Sequence, residues 1–519
     1  MTRLPGAGAL ALFGALALAL PDESRGPPDA RRVRDAARGF REQHELAILR
    51  ELADLLAIPN VASDARNIRR NADHLVGMLR RRGLRTALLE VAGAPPAVLG
   101  ELLAPGARRT VIFYAHYDGQ PVDPARWTGD PWRPALRDAP LERGGKEVAW
   151  EALRAPVDPD WRLYARSASD DKAPIVAILA ALDALREARI PLSINLKIFL
   201  EGEEEAGSPH LPDLLARHAG RIGADLWLLC DGPVHPTRRM QLYFGARGVA
   251  DVEITAYGAV RRLHSGHYGN WAPNPAVELA HLVAGLRDAE GGIRIRGFSD
   301  DVRPLTDAEK HAVAEAPPVE EALRRELGLG RTEGGSEALA SRVLLPALNL
   351  RGIVSGDVGE KATNSIPPEA TASIDFRLVP DQTPEKVRRK TEEHLERQGY
   401  FLVRETPDAA TRLAHPRILK VVWGPGYPAA RTALDLPVCR AVSNVVAEAV
   451  GPVVRLPSLG GSVPMYLFTE VLKTPVVGVP IVNHDNNQHA ANENVRVQNL
   501  WDGIEIYAAL LARLGRVWE

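Results

Sequence analysis

Cysteine is almost missing from this chain: Cys230 and Cys439 are the only two in 519 residues. No disulfide framework and no thiolate zinc site can be built from them. Charge bias is missing too. A net charge of −2 offers no nucleic-acid surface and no strong field to steer an ionic partner. There is no internal repeat, and apart from one run at the N-terminus no stretch is apolar enough to cross a membrane. The G-x-S-x-G elbow of serine hydrolases is also lacking. The nearest approach is "GGSVP" around Ser462, for which no partner His is indicated.

What remains is a globular composition, 45% hydrophobic and 25% charged, in a chain long enough for two to three structural units. The N-terminal run "MTRLPGAGALALFGALALALPDESRG" has Arg3 ahead of an apolar stretch from Gly6 to Leu20, with Ala17 and Ala19 as an A-x-A-like cleavage site. It reads as a signal peptide over residues 1–22, so export to the periplasm or medium is expected, with no stable membrane span after processing. The alternative is an uncleaved anchor. Against it, the run is short for a span and is bounded by Pro5 and Pro21.

Helical spacing covers residues 28–58 and 67–83, and "APIVAILAALDALREARI" reads as a strong amphipathic helix. Short apolar runs with polar ends ("RTVIFYAHYD", "LSINLKIFLEGEEE", "ADLWLLCDGP", "TPVVGVPIVNHDNNQHAANEN") read as buried strands. Strands alternating with helices predict an α/β layer around a largely parallel sheet. In the middle, "GARGVADVEITAYGA", "NPAVELAHLVAGLRDA", "LPALNLRGIVSG", "EATASIDFRLVP" and "TPEKVRRKTEEHLERQ" run strand, helix, strand, strand, helix, with Thr383 as an N-cap. That order predicts a split β-α-β, ferredoxin-like α+β unit inserted at 239–433 into a layer formed by 28–238 and 434–519. The Pro- and Trp-rich segment 123–163 reads as a long loop over a site.

The stretch "FLEGEEEAGS" then poses a problem. Glu203, Glu204 and Glu205 stand side by side after a buried run, where like charges repel. Other strand ends are similar: His116 and Asp118 after "VIFYA", Asp231 after "LWLLC", His489 in the loop after "VVGVPIV", with Asp170 and Asp171 just before a helix. Ligands of open α/β sheets sit beyond the carboxyl ends of the strands. Imidazoles with several carboxylates form a donor set suited to zinc, cobalt or manganese, and a pair of cations makes clustered carboxylates tolerable.

Taken together, "HYDGQPVD", "ASDDKAP", "EGEEEAGS", "CDGP" and "NQHAANEN" resemble the M20 family of dinuclear metallopeptidases. That family includes carnosinase-type dipeptidases, carboxypeptidases and N-acyl-amino-acid deacylases. The resemblance continues through "GARG", "LHSGHYGN", "NSIPP", "DFRLVP" and "GGSVP". It implies a zinc-peptidase-type α/β catalytic domain whose insert serves as a lid and dimerisation domain. It implies two divalent ions per subunit, zinc first with cobalt or manganese as alternatives. His116 and Asp231 would hold one ion, Glu205 and His489 the other, and Asp170 both. Glu204 would be the general base on a water between the ions, with Asp118 orienting His116 from behind. His264 would stabilise the tetrahedral intermediate from the partner subunit of a homodimer. Arg377, Asn364 and Ser462 would hold the substrate carboxylate. Glu203 is then the extra member of the triplet, facing outward.

The implied reaction is amide hydrolysis of dipeptides or short peptides with a free C-terminal carboxylate. N-acyl-amino-acid hydrolysis at the same residues is the alternative, and a non-catalytic binding protein a remote one. The chain departs from the family pattern, and the stretch between Asp118 and Asp170 is long for a dipeptidase. "ARSAS" stands where "GRG" is usual, so Ala165 and Ser167 replace glycines, and Ala173 follows Asp171-Lys172 where Gly is usual. "GYPAART" replaces a segment that carries a substrate-contacting His in carnosinases.

Overall fold

The computed structural model describes residues 28–519, so the signal-peptide segment lies outside the described residues. The larger of two layers is built on an eight-stranded sheet. Its strands run, from edge to edge, Arg85–Leu89, Ala97–Leu102, Asn195–Glu201, Thr110–His116, Leu226–Leu229, Val476–Gly478, Gln241–Tyr243 and Val454–Leu456. The four in the centre (195–201, 110–116, 226–229 and 476–478) are mutually parallel, so their carboxyl ends open on one side.

These central strands are continuous apolar runs because both faces are covered. Val111, Phe113 and Ala115 face a core shared with the helices Ala30–Leu56, Ala173–Glu187 and Val497–Val517. Ile112 and Tyr114 face the opposite core, with Phe199, Trp227 and Phe468. Helix 173–187 is more deeply placed than its spacing suggested. It packs against both helix 30–56 and helix 497–517, and every residue from Ala173 to Leu182 is buried. It is a central helix and not an amphipathic surface one. Among the described residues no helix is long and apolar enough to cross a membrane.

The inserted unit has its own five-stranded sheet, ordered Ala347–Val354, Glu369–Leu378, Gly248–Tyr257, Ile418–Trp423 and Phe401–Val403. The first four strands are antiparallel neighbours in the ferredoxin-like order, and the short fifth adds parallel to 418–423. Helices Pro275–Leu286 and Pro384–Arg397 cover one face through Leu279, Leu282, Val387 and Leu395. Thr383 caps the second helix as expected, its hydroxyl accepting from Lys386 N.

Two boundaries move. Gln241–Tyr243 belongs to the large sheet, and the insert leaves through a ribbon of Gly245–Ala246 against Ala430–Arg431. Residues 307–315, read as part of the insert, form a helix docked on strand 454–456 of the catalytic layer. A buried ion pair, Glu309 to Arg431 at 3.1 Å, fixes that helix beside the ribbon. The segment 123–163 is not a bare loop. It contains the strand Ala135–Arg137, which pairs with Arg162–Tyr164, and that strand pairs in turn with Asn494–Arg496.

Candidate metal centre

His116 is the last residue of the central strand 110–116 and is fully buried. Asp231 follows strand 226–229, and Glu204 and Glu205 start a single tight turn after strand 195–201. Gly207 ends that turn at φ +87°, a conformation that suits glycine. Asp170 precedes helix 173–187, in a cis peptide with Asp171. His489 lies in the loop beyond strand 476–478. The topology thus delivers five separate segments to one point.

Donor atoms of His116, Asp170 and Asp231 lie within 4.8 Å of one another, and so do those of Asp170, Glu205 and His489. Asp170 belongs to both sets, one oxygen to each side. Its Oδ1 is 2.9 Å from His116 Nε2 and its Oδ2 is 3.2 Å from His489 Nε2. Glu205 Oε2 is 3.3 Å from the same His489 nitrogen. The His116 set is wholly buried and the His489 side is open to solvent. Substrate therefore has access from the side of Glu205 and His489.

Asp118 explains why the triplet has its shape. Its two oxygens accept the backbone N–H groups of Glu204 and Glu205, both at 3.1 Å, while Oδ1 also lies 3.4 Å from His116 Nδ1. One buried carboxylate thereby orients a candidate ligand and holds the turn bearing Glu204 and Glu205. Glu203 does not face outward. It is buried, and its carboxylate accepts from His210 N at 2.9 Å and pairs with the His210 ring. The turn directs the first glutamate away from its two neighbours.

Electrostatics favour cations here. Burial, with Asp170 nearby, pushes Glu205 up to about 7 and Asp231 up to about 6. Burial also raises Glu204, where the Asp231 and Asp170 charges add to the effect against a partial offset from His116. Burial alone would lower His116, but its bonds to Asp118 and Asp170 outweigh that and raise it. His489 is raised to about 9, chiefly by Asp170. Glu204, Glu205 and Asp231 resist ionisation. Burial would push Asp170 up as well, but His116 and His489 hold it well below the usual carboxylate range. The imidazoles take on positive charge, as expected of a pocket whose anions call for positive charge. Two imidazoles and three carboxylates in overlapping sets suit a pair of borderline divalent ions.

A model of peptidase family M20/M25/M40 matches residues 112–513. The chain belongs to that family. Among curated relatives, it is 26% identical to the Cys-Gly metallodipeptidase dug1 of Schizosaccharomyces pombe, across 90% of this chain and 95% of the relative. It is 28% identical to the Beta-Ala-His dipeptidase of Homo sapiens, across 82% of this chain and 78% of the relative. Among solved structures, the M20 family metallo-carboxypeptidase Sso-CP2 of Sulfolobus solfataricus superposes with a TM-score of 0.74 at 27% identity, covering 90% of this chain and 99% of that one. The M20 assignment makes the chain a metallopeptidase, and its mixed α/β fold matches that of this M20 structure.

The remaining candidates fall into two groups. Arg377 donates through Nη1 to Ser462 Oγ at 2.8 Å and through Nε to Asp375 at 3.0 Å. Tyr427 joins this group. It lies in "GYPAART", stacks on Tyr466, and has Glu204 and Arg377 as its strongest charged neighbours. The sequence reading noted the segment and gave this tyrosine no role. His264 and Asn364 form the second group, on the insert. Ser265 N donates to Asn364 O at 2.9 Å, and both His264 and Asn364 are exposed. Among the described residues neither bonds to a member of the two donor sets. Gln120, which donates to Glu205 Oε2 at 2.7 Å, also went unnoticed. So did Glu201, buried and bonded to the Tyr114 hydroxyl at 2.6 Å.

Proposed function

We propose that this chain is a dinuclear metal-dependent dipeptidase that hydrolyses the amide bond of dipeptides bearing a free C-terminal carboxylate. One observation carries the reading: Asp170 offers one oxygen to the His116–Asp231 side and the other to the Glu205–His489 side. His116 and Asp231 would hold one ion, and Glu205 and His489 the other. Bound there, two divalent cations, zinc in first place, acidify water and polarise the scissile carbonyl.

The chain's own groups do the rest. Glu204, held by Asp118 through its backbone, accepts the water proton and returns it to the leaving amine. Arg377, steadied by Ser462 and Asp375, presents its remaining N–H groups to the substrate carboxylate. The names of the relatives, Cys-Gly and Beta-Ala-His dipeptidase, support a small free-carboxylate substrate.

Purified protein is expected to contain two divalent ions per chain, to cleave dipeptides in preference to N-acetyl amino acids, and to lose activity on chelation. Stray metal content with chelator-resistant activity would refute the metal reading. Faster cleavage of N-acetyl amino acids would instead assign the same site to deacylation.

We further propose that the enzyme is a homodimer in which His264 serves the partner's site. The edge strand 347–354 exposes Leu350, Ile353 and Val354, and Trp271 beside the His264 loop is also exposed. An unpaired edge with apolar side chains suits a two-fold contact. Export of the mature chain is proposed from the N-terminal run, with cleavage near residues 20–26. Intact-mass measurement of the exported protein checks this, and a full-length cytoplasmic species would contradict it.

A further inference from the structure

The motif departure "ARSAS" has a structural counterpart in a residue the proposed reaction does not use. Glu493 is fully buried, four positions after His489. Its carboxylate accepts five hydrogen bonds from the segment that ends in Asp170. Oε2 takes Arg166 Nη1 at 2.8 Å and Ser167 N at 2.9 Å. Oε1 takes Ser169 N, Ser169 Oγ and Asp170 N, each at 2.9 Å. The backbone adds Ala165 N to Glu493 O at 3.2 Å.

The replacement residues extend this network. Ser167 adopts φ +63°, and its hydroxyl accepts from Asn60 Nδ2 at 2.8 Å and reaches Asp118 O at 3.4 Å. Arg166 lies over the Trp127 ring at 5.2 Å, which joins the segment 123–163 to the same point.

We propose that Glu493 is a positioning residue that sets the carboxylate of Asp170 relative to His489, and so the geometry between the two proposed ion sites. The inference rests on the metal reading above. The physical case is one of satisfiability. A carboxylate has only acceptor oxygens, and here both are filled by N–H and O–H donors. Arg166 balances the buried charge at hydrogen-bond distance. Nothing of similar shape replaces Glu493 without cost. A glutamine must turn its NH2 toward two donors or toward three, leaving them unpaired and pressed against another donor. The segment would then shift, and Asp170 N is the last donor in it. Ser169 belongs to the same device, because its hydroxyl supplies a bond that alanine lacks.

Cobalt(II) is the probe, since its visible absorption reports ligand geometry independently of turnover. Glu493→Gln is expected to bind cobalt about 10–100-fold more weakly than the parent, with shifted absorption bands and unchanged far-UV circular dichroism. Ser169→Ala is expected to move both readouts in the same direction by less. A folded Glu493→Gln chain with the parent's cobalt affinity and spectrum overturns the inference. If Glu493→Gln fails to fold, Ser169→Ala decides: parent-like affinity and bands overturn the inference, and weaker binding with altered bands supports it. A parent chain that takes up no cobalt refutes the metal reading itself.

Discussion

A Glu204→Gln chain is expected to keep its metal and lose turnover by about 10²–10⁴-fold, with KM little changed. The expectation follows from where the two glutamates of the turn stand. Glu205 is within ligand distance of His489 and Asp170 and belongs to a donor set, whereas Glu204 does not. Glu204 nevertheless sits in the field of His116, Asp231 and Asp170, so its carboxylate borders the cluster without forming part of it. That is where a general base for a water held at the cluster should be. Glutamine keeps the size and the backbone bond to Asp118 and removes only the basic oxygen. The companion variant separates the roles: Glu205→Gln should lose metal first and activity as a consequence. Metal analysis beside steady-state kinetics reads both. If Glu204→Gln turns over at near-parental rate, Glu204 is not the base; if it is the variant that loses metal while Glu205→Gln keeps it, the roles of the two residues are exchanged.

The cluster was legible in the sequence for a physical reason. Strands buried on both faces are written as unbroken apolar runs, and a polar residue that ends such a run must lie at the sheet's edge. His116, Asp231 and the glutamate turn all obey this, and the structure brings them together. The illegible parts depend on information that no single run contains. Glu203 reads in sequence as one of three adjacent glutamates, and only the turn sends it toward His210. Helix 173–187 has an apolar stripe, but its burial all round depends on helices 30–56 and 497–517 closing over it from far away in the chain. Helix 307–315 is polar enough to read as part of the insert, and its docking depends on Arg431 and Arg455. Glu493 lay within a motif read for its histidine, and its role emerges only when its five donors are counted in space.

Mixing two inactive chains, His264→Ala and Glu204→Gln, is expected to restore activity to about a quarter of the parent level after subunit exchange at equal amounts. Half the dimers are then mixed, and each mixed dimer has one site with both groups intact. The premise is the position of His264. It sits on a short ribbon of the insert paired with Ser365, and Asn364 shares that ribbon. Both face solvent in the single chain, while Arg377 and Ser462 are already joined to each other. A substrate anchored on Arg377 would still lack a donor for the oxyanion and a second contact for its carboxylate, and in the proposed dimer His264 and Asn364 would supply those two chemistries from one ribbon. In the proposed dimer the exposed edge 347–354 would give two copies a surface through which to exchange them. Native mass spectrometry verifies the exchange, and initial rates measure the recovery. Verified mixed dimers with no recovered activity would mean that each site is completed within its own chain, by closure of the insert about the ribbon Gly245–Ala246 and Ala430–Arg431.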